Sequence, residues 1–112
     1  SNRLGVCLDT AHMYGAGYDL STPEAVDEMV SEFAAEVGLG TLKVLHLNDT
    51  RVKLGAHVDR HANIGTGNIG ETGFRALVNH PSLRHIPGII ETPAATLEDH
   101  RYDLEKLKSL RA

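Results

Sequence analysis

The chain has 112 residues, 41% hydrophobic and 23% charged, which is the composition of a globular domain and excludes a disordered or fibrous segment. Its net charge of −4 argues against a broadly basic surface that binds nucleic acid through phosphate attraction alone. Nucleic acid stays compatible with this charge if bound metal ions supply positive charge locally.

Membrane and secretion signals are not evident in the sequence. No run approaches the roughly 18 apolar residues that a membrane span needs, and no charged-then-apolar leader appears, so we expect no membrane partner. The single cysteine, Cys7, excludes an internal disulfide and fits a reducing compartment, so we expect a cytoplasmic location. We interpret Cys7 itself as a small buried strand residue.

The first predicted unit is a strand followed by a helix. Leu4–Leu8 is a short apolar run that ends at Asp9, and a loop rich in glycine and tyrosine follows it. Ser21-Thr22-Pro23-Glu24 predicts a helix start with a capping hydroxyl, a proline in the first turn and an acid that completes a capping box. Gly38 predicts a left-handed end to this helix. Its inner face is predicted from apolar residues at helical spacing, namely Val26, Met29, Val30, Phe33 and Val37.

Two further units follow the same pattern. The second strand is predicted over Leu42–Leu47, a polar loop runs from Asn48 to about Gly70, and a helix covers about Glu71 to Asn79. The third strand is predicted over Ile86–Glu91 and the last helix over about Arg101 to Leu110. Because no hairpin signal separates the units, we expect parallel strands with right-handed crossovers. The inner residues of these two helices are predicted to be Phe74, Leu77, Val78, Leu104, Leu107 and Leu110.

Metal-type ligands follow the predicted strands. In parallel α/β sheets and barrels, functional residues lie at the carboxyl ends of strands, and Asp9, His46 and Glu91 each lie at or beside such an end. For each there is a structural alternative: Asp9 as a helix cap or turn former, and His46 as a hydrogen-bonded core histidine. A carboxylate placed like Glu91, after two isoleucines, is costly to bury unless a cation or a donor meets it.

A second group of ligand candidates comes from loops. His12 follows Asp9 by three residues, and Asp59 and His61 face the same way if their loop is extended, unless this loop is simply solvated and charged. Three histidines and three carboxylates together favour zinc, with manganese or iron as alternatives.

A glycine-rich stretch follows these loop residues. Gly65-Thr66-Gly67-Asn68-Ile69-Gly70 resembles a phosphate cradle in composition, but it does not follow a strand as a dinucleotide-binding fingerprint does. Two interpretations stay open: backbone N–H groups that meet a DNA phosphate at the start of the next helix, or a flexible turn.

Several motifs together resemble endonuclease IV, the zinc-dependent apurinic/apyrimidinic endonuclease family. The combination of Asp59-Arg60-His61 with Gly-x-Gly-x-Ile-Gly distinguishes this family from the sugar isomerases that share its barrel. The resemblance covers almost the whole chain and rests on Gly5–His12, Ala16–Asp19, His46-Leu47-Asn48-Asp49, Asp59-Arg60-His61, Ile64–Gly70 and Glu91-Thr92-Pro93.

The resemblance implies a TIM (β/α)8 barrel with three zinc ions at the carboxyl end of its strands. It implies that His12, Asp59 and His61 hold one zinc ion. Asp9, His46 and Glu91 would hold most of a second and carry the metal-mediated catalytic role. Four further residues would contact DNA or orient the ligands: Asn48, Arg60, Gly65 and Gly67.

The same resemblance implies that the chain is incomplete as an enzyme. In the family, two further histidines and a bridging glutamate come from earlier strands, so we interpret residues 1–112 as the three C-terminal βα units of the barrel domain. The intact protein would hydrolyse the phosphodiester 5′ to abasic sites in double-stranded DNA through a trinuclear zinc centre. The chain alone would hold one or two zinc ions, have little or no activity, and self-associate to cover its open sheet edges.

Two alternatives have different consequences. A metal-dependent sugar isomerase or epimerase on a related barrel would isomerise a ketose and ignore abasic DNA. A non-enzymatic folded fragment would show neither activity.

Overall fold

Three parallel strands form one open sheet. The computed structural model describes residues 4–93 and 96–112. The strands β1 (Val6–Asp9), β2 (Leu42–His46) and β3 (Gly88–Ile89) lie in the order β1-β2-β3. Asp9 pairs with His46, and His46 pairs with Ile89, so the carboxyl ends of the three strands are level. The predicted parallel arrangement is confirmed.

The first long helix begins and ends at local signals. Helix α2 (Pro23–Glu36) is capped by the Thr22 hydroxyl, which accepts from the Ala25 amide at 3.1 Å. Ala25 therefore occupies the third helical position, so Glu24 cannot complete the predicted capping box. Gly38 follows with a φ of 100°, and its amide donates to the Phe33 carbonyl at 3.0 Å. The predicted left-handed helix end is confirmed.

A short helix replaces the loop predicted after β1. Helix α1 (Thr10–Gly15) starts directly after Asp9, whose Oδ1 accepts from the His12 amide at 3.0 Å. Its six residues are too few to show a helical period in the sequence. His12 therefore lies in the first turn of a helix, beside the end of β1.

The third unit differs most from the prediction. Strand β3 has two residues instead of six, and a capping box between Thr96 and Asp99 starts α4 (Leu97–Leu110) earlier than predicted. Leu104 was predicted on the inner face, but it is 44% exposed. Asp103 is fully buried instead, because three hydrogen-bond donors meet its carboxylate there.

The hydrophobic core lies between the sheet and the helices, and α3 (Gly70–Asn79) contributes Phe74 and Leu77 to it. The other face of the sheet is open: Ile89 is 49% exposed, and Cys7 is exposed rather than buried as predicted. Local desolvation, and then the carboxylates of Asp9 and Glu91, raise the pKa of the Cys7 thiol. Within the described residues, no helix has the length and apolar character to span a membrane.

A buried carboxylate organises the long loop between β2 and α3. Asp49 Oδ1 accepts from the amides of Thr50 and Ile69, and Oδ2 accepts from those of Gly65, Gly67 and Gly70, at 2.8–3.2 Å. Gly65 and Gly70 have positive φ angles of 84° and 73°. A Cβ atom at Gly67 would collide with the Thr50 carbonyl oxygen. The glycine-rich stretch therefore wraps around the Asp49 carboxylate, an anion that is part of the chain itself.

Replacing this carboxylate should destabilise the fold. In Asp49→Ala, five backbone amides lose their acceptor, so we expect the free energy of unfolding to fall by about 3 kcal/mol or more. Urea denaturation followed by circular dichroism measures the change. The control is Glu28→Ala, because Glu28 is exposed on α2. An Asp49→Ala chain as stable as this control would contradict the assignment.

Candidate metal centre

The carboxyl ends of the strands bring one ligand cluster together. His46 Nδ1 lies 2.6 Å from Glu91 Oε1 and 3.9 Å from Asp9 Oδ2. The ligand atoms of these three residues all lie within 4.8 Å of one another. At 2.6 Å the imidazole donates a hydrogen bond to Glu91, and a metal ion at this position would replace that bond.

A second cluster lies next to the first and shares Asp9 with it. His61 Nε2 lies 3.4 Å from Asp9 Oδ2 and 3.4 Å from Asp59 Oδ1. Asp9, Asp59 and His61 again place their ligand atoms within 4.8 Å of one another. Asp9 thus stands between two candidate ion positions, while its other oxygen caps α1.

His12 lies at the border of the second cluster. Its Nδ1 is 3.9 Å from Asp59 Oδ2, and its side chain is 70% exposed. In the arrangement implied by the resemblance, His12 shares an ion with Asp59 and His61; here Asp9 joins those two residues in the cluster whose ligand atoms lie within 4.8 Å of one another. The assignment of all six residues as ligands stays a prediction.

The hydrogen bond of His61 determines which of its ring nitrogens is free. His61 Nδ1 lies 3.0 Å from the Glu91 carbonyl oxygen. Because a carbonyl only accepts, Nδ1 must carry the proton, and the neutral ring then presents a lone pair at Nε2. That lone pair faces two carboxylates, an arrangement that a proton or a cation must stabilise. Metal-binding histidines commonly donate their second ring N–H to a carbonyl in this way.

Asn48 connects the ligands of the outer strands from its position after β2. Its side-chain amide donates to Asp9 Oδ2 at 3.1 Å, and its Oδ1 accepts from the Glu91 amide at 2.8 Å. The Thr10 hydroxyl donates to the Asn48 carbonyl at 2.6 Å and accepts from its amide at 2.9 Å. Asn48 is fully buried, so its contacts with the ligands are partly shielded from water.

The residues predicted to contact DNA differ in how available they are for such a contact. Arg60 is exposed and, with Arg51 and Thr66, lines a cleft of about 350 Å³ that reaches His61. The amides of Gly65 and Gly67 donate to Asp49, so these two donors are already used. A DNA contact by either glycine stays a prediction.

Sequence reasoning missed three buried polar residues near the ligand candidates, namely Asp103, Thr92 and Thr10. Asp103 lies at the same helical phase as Leu107 and Leu110, and a charged residue on an apolar stripe was the available signal. Thr10 and Thr92 gave no such signal, because a threonine beside a strand end is common and its partners are distant in sequence.

Known proteins resemble the chain over nearly its whole length. The family model described as xylose isomerase-like TIM barrel matches residues 1–112. A probable endonuclease 4 from Haloarcula marismortui is 51% identical over 105 residues, which is 94% of this chain and 38% of that protein. One from Moorella thermoacetica is 44% identical over 111 residues, covering 99% of this chain and 40% of the relative.

A solved structure agrees with these relatives. The crystal structure of endonuclease IV from Thermus thermophilus matches with a TM-score of 0.83 and 38% identity, covering 96% of this chain and 38% of that one. The chain spans about two fifths of the length of the curated relatives above. Its three parallel strands and their helices therefore form part of a TIM barrel, as predicted. By these likenesses the chain belongs to the xylose isomerase-like TIM barrel family and, within it, to the endonuclease IV proteins.

Proposed function

We propose that the protein containing this chain is a cytoplasmic DNA repair endonuclease that hydrolyses the phosphodiester 5′ to abasic sites in duplex DNA. Relatives named endonuclease 4, at 44–51% identity, support the reaction class. The sugar isomerase alternative has less support, because these relatives are named as endonucleases. An abasic nucleotide suits such a reaction, since it costs little to extrude from the duplex.

The placement of His61 Nε2 between two carboxylates carries the proposal of a metal. Its Nε2 lies 3.4 Å from one oxygen of Asp9 and 3.4 Å from one of Asp59. Two ligand atoms on a tetrahedral zinc ion, each about 2.0–2.1 Å from it, stand roughly 3.3 Å apart. The mixture of imidazole and carboxylate favours zinc, with manganese or iron as alternatives. Asp59, His61 and Asp9 or His12 would hold one ion, and Asp9, His46 and Glu91 another.

The reaction needs positive charge at this site, because carboxylates alone repel a phosphodiester. A bound zinc ion would supply a Lewis acid that polarises a phosphoryl oxygen and makes a nearby water more acidic. The side chains of the chain itself hold the ligands in place, and Asn48 ties Asp9 to Glu91 from within the core. The cleft lined by Arg51 and Arg60 would receive the DNA backbone beside the ions.

The chain alone should lack most of the activity. The resemblance implies two further histidines and a bridging glutamate that this chain does not supply, consistent with its being the C-terminal part of the barrel. The six candidates present here would hold one or two zinc ions without completing a trinuclear centre.

Zinc binding tests the site directly. We expect the purified chain to bind one or two Zn²⁺ in calorimetric titration. His61→Ala should weaken binding by about 100-fold or more, since losing a ligand costs more than losing an outer partner. His85→Ala is the matched control, because His85 is exposed and outside both clusters. Equal affinity in the two variants, or no binding by wild type, would refute the metal proposal.

Nuclease activity tests the division between chain and intact protein. We expect zinc-loaded intact protein to incise a duplex with one abasic site on its 5′ side and to spare undamaged duplex. The 112-residue chain should show little or no incision under the same conditions. Robust incision by the chain would disprove its dependence on the missing ligands. Isomerisation of a ketose without any incision would instead favour the isomerase alternative.

Self-association tests the open face of the sheet. Strands β1 and β3 are both edge strands, and Ile89 and Cys7 are exposed on the uncovered side. Open edges and exposed apolar residues favour pairing between chains, so we expect light scattering to report a mass above 12.1 kDa at micromolar concentrations. A monodisperse monomer that unfolds cooperatively would count against this expectation.

A further inference from the structure

The segment that carries Glu91 is held by side chains rather than by the sheet. Strand β3 ends at Ile89, two residues before Glu91. The Glu91 amide donates to Asn48 Oδ1 at 2.8 Å, and its carbonyl accepts from His61 Nδ1 at 3.0 Å. Asn63 Nδ2 donates to the Pro93 carbonyl at 2.9 Å. The position of the Glu91 carboxylate therefore depends on residues from other segments.

Asp103 on α4 is the residue that joins these segments. Its Oδ2 accepts from the Thr92 hydroxyl at 2.5 Å and from Asn63 Nδ2 at 2.8 Å, and its Oδ1 accepts from the Ile64 amide at 3.1 Å. Thr92 directly follows Glu91, and Asn63 follows His61 by two residues. One carboxylate thus connects the segments of two ligand candidates, one from each cluster.

The burial of Asp103 indicates that hydrogen bonds, and not apolar packing alone, hold this residue in place. Asp103 is 0% exposed and shares its helix face with Leu107 and Leu110, where an apolar residue would continue the stripe. A buried carboxylate is costly unless donors compensate it, and its three partners here are all neutral. A side chain with two acceptor oxygens is needed to accept hydrogen bonds from the Thr92 hydroxyl, the Asn63 side-chain amide and the Ile64 backbone N–H at the same time.

We infer that Asp103 is a positioning residue that fixes the distance between the Glu91 and His61 segments. Through Thr92 and Asn63 it keeps the Glu91 and His61 segments beside Asp9, although it makes no hydrogen bond to the ligand atoms of either segment. Its effect on metal binding rests on the proposed function. Its effect on the position of Glu91 is a property of the metal-free chain.

The test separates position from stability. Asp103→Asn and Thr92→Val disrupt the connection, Thr92→Ser retains the hydroxyl, and Glu105→Gln changes an exposed charge on the same helix. Leu107→Ala destabilises α4 from its buried face without touching the connection. Each variant is prepared as the full chain, and its folding is verified by circular dichroism and Tm.

Two measurements are then made on every variant. In the metal-free chain, Asp103→Asn and Thr92→Val should speed hydrogen exchange at the Glu91 amide by about 10-fold, while Thr92→Ser and Glu105→Gln retain the wild-type rate. In Zn²⁺ titrations, the first two should bind roughly 10- to 100-fold more weakly, as expected when an outer partner of a ligand is lost. Leu107→Ala should lower Tm but retain the wild-type zinc affinity.

The inference is overturned if Asp103→Asn and Thr92→Val behave like Leu107→Ala, with a lower Tm but wild-type exchange at Glu91 and wild-type zinc affinity. If Asp103→Asn does not fold, the comparison of Thr92→Val with Thr92→Ser decides the question. A wild-type chain that binds no zinc would refute the proposed metal centre alone, and the exchange rates would still decide the role of Asp103.

Discussion

The carboxylate of Asp49 is the constraint on which the site depends. It accepts hydrogen bonds from five backbone amides, and these bonds fix the path of the 65–70 loop and the position of the first residue of α3. Its own backbone pairs with Ala62, whose amide donates to the Asp49 carbonyl at 2.6 Å. Because Ala62 directly follows His61, this pairing holds the His61 loop against the end of the sheet. These contacts offset part of the conformational entropy that closing a loop of this length costs.

Folding and ligand placement use the same atoms at the end of β1. Asp9 caps α1 with one oxygen, while the other oxygen accepts from Asn48 and faces His61. Asn48 in turn is clamped by Thr10, the first residue of α1. The same contacts that end the strand and start the helix therefore also orient the ligand. A cation bound there would stabilise the fold as well as the site, because its binding free energy adds to that of folding.

The sequence predicted what depends on local signals. Apolar runs identified β1 and β2, the Thr22 cap identified α2, and strand ends located Asp9, His46 and Glu91 correctly at one edge. Prediction failed where hydrogen-bond partners are distant from each other in the sequence. The donors to Asp103 lie 11 to 40 residues away, and the sharing of Asp9 between two clusters depends on how the 59–61 loop folds back. No periodicity records such contacts, because they arise only when the chain is folded.

Four acids at this end of the sheet divide into two kinds by their partners, and Asp9 combines both, because one of its oxygens caps α1 while the other faces His61. Asp49 and Asp103 are fully buried and accept three or more hydrogen bonds each from neutral donors, so their oxygens are committed to the fold. Glu91 and Asp59 are exposed and face imidazole nitrogens. An imidazole can exchange its proton for a metal ion, whereas a backbone amide cannot. The partners of a carboxylate, more than its burial alone, therefore separate the acids that build this loop from those able to bind a cation.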